Sequence, residues 1–242
     1  MKQSKTRVSL VRNWLWVIPA VIGGGLTVLT LFVLPPDRVI DGLTEFLFKI
    51  TPLVTAVFAI ALFPKKGSWV GLLLVLGFIF YMGYIDSAFF IQLGNLLDAA
   101  VADTYQEQFP AFYTFHIFVN SFTVLLAIFA YRLGGANAAR VIKVGLSGIL
   151  VMISGLNDLA TWVIYPWPNG ERPLVFYWAS HVAVFIGRDP TLYHMLAFLA
   201  VHLLLIGIIF WLPLEKWINQ QKARWHLGDN SAPAAPSMEL SQ

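Results

Sequence analysis

The sequence predicts an all-α integral membrane protein, a six-helix transmembrane bundle. Three observations predict it: too little charge for a wetted surface, apolar runs of spanning length, and Lys and Arg gathered on one side. Hydrophobic residues make up 58% of the 242 and charged residues 12%, with a mean hydropathy of +0.71. A soluble domain carries about a quarter charged residues, so lipid must solvate much of this surface. In lipid every backbone polar group has to be satisfied internally, which leaves helices or a closed barrel. Barrel strands read as short alternating segments. The apolar stretches here are long and continuous, and helices follow.

A spanning helix needs roughly 20 mostly apolar residues. The first predicted span covers 14–34, behind a basic N-terminal stretch, 1–13, that holds Lys2, Lys5, Arg7 and Arg12. It is longer than a signal-peptide core, and Leu34-Pro35-Pro36-Asp37 does not resemble a small-residue cleavage site, so a retained anchor is expected. Further spans are predicted over 43–63, 69–90, 112–131, 141–164 and 192–212, the last stopped by Pro213. The apolar run 174–186 between the fifth and sixth is too short to cross, and reads as an interfacial or re-entrant helix. The remainder, 214–242, is expected to be a cytoplasmic tail, disordered from about 229, where Ser-Ala-Pro-Ala-Ala-Pro offers nothing to bury.

Orientation follows from the basic residues of the short loops. One side collects the N-terminal four with Lys65, Lys66, Arg132, Arg140, Lys143, Lys216, Lys222 and Arg224, which is 12 of the 16. The other side holds Arg38, Arg172 and Arg188, together with Asp37, Asp41, Asp98, Asp103, Glu107, Glu171 and Asp189. Both termini are therefore expected in the cytoplasm, and the plasma (inner) membrane of a bacterium is the expected location. The basic residues are accounted for by topology and anionic headgroups, so a nucleic-acid partner is not expected. The absence of cysteine excludes disulfides, thiolate metal sites and cysteine nucleophiles. Trp14, Trp16, Trp69, Trp162, Trp167, Trp178, Trp211 and Trp217 fall near predicted helix ends, as an interfacial belt requires.

Ionisable groups within spans are costly and point to function. Asp86 and Asp158 are the candidate catalytic residues. His116, His181 and His194 are the candidate metal ligands, with Asn120, Asn157, Lys49 and Glu45 in support. At roughly 1.5 Å per residue, Asp86, His116, Asp158 and Lys49 all lie about 6–10 Å inside the extracytoplasmic end of their helices. His202 lies deeper, at about 15 Å, and reads as a core histidine. Glu45 and Lys49, four residues apart with the acid first, also suit a simple helix-surface ion pair.

Carboxylates and imidazoles at one depth suit iron, copper or zinc, and a carboxyl group made weakly acidic by burial suits general acid catalysis. The leading expectation is a membrane-embedded enzyme, with or without such a metal, acting on a lipid-soluble small molecule. The alternative is a non-catalytic membrane subunit, associated with haem or quinone or purely structural.

Overall fold

In the computed structural model the described residues are 14–37, 39–64, 80, 84–85, 87–167 and 170–228. Among them the chain is helical. The helices are α1 (Val17–Val28, continued by a π-helical turn, Leu29–Val33), α2 (Leu43–Leu62), α3 (Ser87–Val101), α4 (Tyr105–Leu133) and α5 (Ala138–Ile153). They continue with α6 (Leu156–Ile164), α7 (Ser180–Ile186), α8 (Leu192–Trp211) and α9 (Leu214–Gly228). The only β pairing among these residues is an isolated antiparallel bridge, Val175 to Thr191. The chain divides into two compact units, Met1–Phe210 and Trp211–Gln242. The second contains α9, whose first turn is closed by the Trp217 amide donating to Pro213 O, 3.1 Å.

Among the described residues three helical stretches are long and apolar enough to cross a membrane: Leu43–Leu62, Glu107–Leu133 and Leu192–Trp211. The α5–α6 pair makes a fourth if its two halves count as one bent span. The stretch Val17–Val33 is apolar but shorter. Most of the span expected over 69–90 lies outside the described residues, and the helix found there runs from Ser87 on to Val101.

The run expected as one helix over 141–164 is broken, with a bend of 46° between α5 and α6. Ser154 turns its hydroxyl back to Val151 O at 2.8 Å, and Gly155 takes a left-handed conformation, φ +74°. A Ser–Gly pair is a recognised cause of such kinks, and a periodicity count across 141–164 does not register it. The apolar run 174–186 becomes helical only at Ser180; ahead of it Phe176 N donates to Pro190 O at 2.8 Å and holds the chain extended.

Among the described residues the core is in two parts. The first gathers Val57 and Ala61 of α2, Ile128 of α4, Ala136, and Val141 and Ile149 of α5. Gly145 permits this close crossing, because a Cβ there would collide with the Val57 side chain. Arg132, buried at the end of α4, donates from Nε and Nη2 to Phe63 O at 3.0 and 2.8 Å and from Nη1 to Ala136 O at 2.8 Å. Those carbonyls would otherwise be left bare at a helix end and in a tight loop. The second core is Leu159, Phe176, Ala179, Val182 and Met195, flanked by Trp162, Trp178 and Phe198.

Candidate functional site

The break at Gly155 places Asp158 in the first turn of α6, where the free amides of a helix start favour a carboxylate. It also opens the backbone to α8: a Cβ on Gly155 would stand 2.7 Å from Met195 Cε and 3.9 Å from His181 Nε2. The short helix α7 is anchored from outside by Ile40 N donating to Ser180 Oγ at 3.1 Å. The Phe46 ring meets Phe185 edge-on at 5.2 Å. Anchored in this way, α7 directs His181 toward α6.

Asp158 Oδ2 and His181 Nε2 face each other at 3.7 Å. That exceeds hydrogen-bonding distance. Both atoms are buried and neither has a hydrogen-bond partner. Buried polar atoms are nearly always satisfied, so an orphaned pair calls for an explanation such as catalysis or an absent ion or water. The Trp178 indole lies beside the Asp158 carboxyl group. Burial pushes the His181 imidazole down to about 4, with the nearby His202 adding to the effect. At neutral pH His181 is therefore an uncharged base.

Phe198 separates the two histidines of this region, its ring 6.3 Å from His181 and 4.3 Å from His202. His202 Nδ1 donates to Phe198 O at 2.8 Å. Trp178 belongs to an aromatic cluster: Phe176 lies 5.2 Å from it, and Trp167 stacks on it at 5.9 Å. Trp178 had an ordinary reading as part of the interfacial belt. Its place three residues before His181 is the signal that could have tied it to the site.

The other candidates are placed as follows. Asn157 is exposed beside Asp158. His194 closes the start of its own helix, with Thr191 N donating to Nδ1 at 3.1 Å and Arg188 Nη2 3.1 Å from Nε2. His116 is exposed on α4, and Asn120 Nδ2 donates to its Nε2 at 2.9 Å. Glu45 accepts from Asp41 N at 2.8 Å and pairs with Lys49, which also donates to Val39 O at 3.1 Å. Asp86 lies outside the described residues.

Among the described residues, one set of three carboxylates or imidazoles converges closely enough to share a metal ion: Asp37, Asp41 and Glu45. Lys49 Nζ stands 3.8 Å from Asp37 Oδ2 and is paired with Glu45, so one ammonium offsets part of the negative charge of this exposed group. Among the described residues no third imidazole or carboxylate joins Asp158 and His181 within that reach. Set against protein families, curated proteins and solved structures, the chain matches none.

Proposed function

We propose that this is a membrane-embedded enzyme that moves a proton on a lipid-soluble substrate, with Asp158 and His181 as its acid–base pair. The observation that carries the reading is the buried, unpartnered 3.7 Å gap between Asp158 Oδ2 and His181 Nε2. A fold that leaves two polar atoms unsatisfied in an apolar core bears a cost of about 1–3 kcal/mol for each. Retaining that cost makes sense where a substrate atom is the missing partner. His181 is suited to accept a proton, and Asp158 to hold one or to orient the imidazolium formed. Phe198, against the His181 ring, and Trp178, beside Asp158, offer surface that suits an apolar molecule arriving from the bilayer.

The same reading takes the chain as six spans with both termini cytoplasmic. The 12-of-16 bias of Lys and Arg supports this, and it sets the Asp158 pair in the outer half of the bilayer. A second reading, a transition metal bridging Asp158 and His181, is favoured by the width of the gap. Ligand bonds of about 2.0–2.2 Å to a carboxylate oxygen and an imidazole nitrogen span such a distance.

The test is comparison of lipid extracts from cells carrying the wild type, Asp158→Asn or His181→Gln, with metal analysis of each purified protein. A lipid-soluble species that changes with the wild type and with neither variant supports the enzyme. Stoichiometric iron, copper or zinc lost in both variants moves the reading to the bridged metal. Extracts identical for all three, with no metal, overturn both.

A further inference from the structure

On α4 the usual arrangement of polar and apolar faces is reversed. His116, Asn120, Thr123, Ala127 and Ala130 are all exposed, and at 3.6 residues per turn they fall within about 40° of one line. Phe118, Leu125 and Phe129 lie on the opposite side, where Phe129 meets Phe63 at 5.0 Å. Asn120 is the central residue of the apolar stretch Glu107–Leu133. If that stretch crosses the membrane, as the proposed function takes it to, an amide faces outward at the bilayer midplane. There polar atoms beyond the reach of a hydrogen-bond partner are strongly disfavoured.

We propose that this face of α4 is the contact with a second copy of the chain, related by a two-fold axis along the membrane normal. Three features select a second copy. A two-fold along the normal sets His116 and Asn120 against their own equivalents at equal depth, whereas any other partner must supply matching polar groups there independently. The hydrogen-bonding pattern is self-complementary. Asn120 Nδ2 donates to His116 Nε2, so the ring N–H of His116 is on Nδ1 and Asn120 Oδ1 keeps its lone pairs. Each copy then offers the other an acceptor, Asn120 Oδ1, and donors, the second amide N–H of Asn120 and the His116 Nδ1–H. Finally, Thr123 satisfies its own hydroxyl on Val119 O at 3.0 Å, and with Ala127 and Ala130 it forms a low surface that lets two backbones approach.

The absence of cysteine makes a direct test available. Asn120→Cys and Ala127→Cys, each as the single cysteine of the full chain in native membranes, are oxidised with copper phenanthroline and run on non-reducing gels. The expected result is a disulfide-linked dimer at both positions. Leu204→Cys, on a strongly exposed part of α8, is the control and stays uncrosslinked. In reconstituted vesicles Asn120→Leu weakens dimerisation at least tenfold, and Asn120→Gln restores it in part. Crosslinks only to a different polypeptide, or none at either position with monomers by single-molecule photobleaching, overturn the dimer. Rapid reaction of Asn120→Cys with a membrane-impermeant maleimide overturns it by a separate route, because that face then lies in water and the spanning reading fails. Neither of the first two failures touches Asp158 or His181, which lie on other helices.

Discussion

Each of the two cores buries a charged or titratable group, and the two treat it in opposite ways. In the core around Val57 and Val141, the Arg132 guanidinium spends three donors on two carbonyls at 2.8–3.0 Å. In the core around Phe176 and Met195, Asp158 and His181 stop 3.7 Å apart, with an unpartnered atom on each side. Arg132 ties the end of α2 to the α4–α5 turn and is complete in itself. The Asp158 pair is incomplete without something else. Completed hydrogen bonds mark a group that holds the fold, and an orphaned pair in equally dry surroundings marks one that waits for a ligand.

That contrast breaks most sharply at Arg132. Arg132→Met leaves Phe63 O and Ala136 O without donors, and a loss of about 3 kcal/mol is expected, since hydrogen bonds to charged groups contribute about 1.5–3 kcal/mol each. Thermal unfolding in detergent reads it. Arg132→Lys recovers less than half, because an ammonium cannot reproduce the planar fork. A wild-type melting temperature in Arg132→Met would erase the distinction between the two cores.

The second-largest effect is a pH dependence confined to the Phe176 core. His181 binds its proton less tightly folded, at about 4, than unfolded at the usual 6.5. The unfolded chain therefore takes up more protons as pH falls, and stability present above about 6.5 is lost progressively on the way to 4. Between pH 7 and 5 the loss should reach about 2 kcal/mol, at 1.36 kcal/mol per pKa unit. His181→Gln should flatten the profile. An unchanged slope in that variant would assign the pH dependence elsewhere.

Gly155→Ala is expected to cost about 1–2 kcal/mol, the strain of a left-handed φ on a residue with a side chain. Met195, being flexible, gives way to the added methyl group. The last effect is small and of opposite sign. Asp158→Leu should leave the melting temperature unchanged or raise stability by about 1 kcal/mol, because removing an unsatisfied buried group relieves its desolvation. A loss as large as that of Arg132→Met would show Asp158 to be a structural residue with a partner.

The chain's helical character and its long apolar helices were legible from composition and from runs such as 43–63 and 192–212, because bilayer thickness dictates their length and lipid dictates their composition. Asp158 and His181 were legible as costly residues for the same reason. Their meeting was not. It depends on a turn made by Ser154 and Gly155, which changes the direction of α6 without changing its hydropathy, and on Ile40 and Phe46 anchoring α7 from a distant part of the chain. His116 shows the converse: its spacing with Asn120 and Thr123 puts the three on one stripe, but periodicity identifies a face without saying which way it points. Only the packing of Phe129 against Phe63 turned that stripe outward. One-dimensional pattern reports what each segment needs from its solvent, whereas the choice of neighbours depends on long-range contacts that no local window contains.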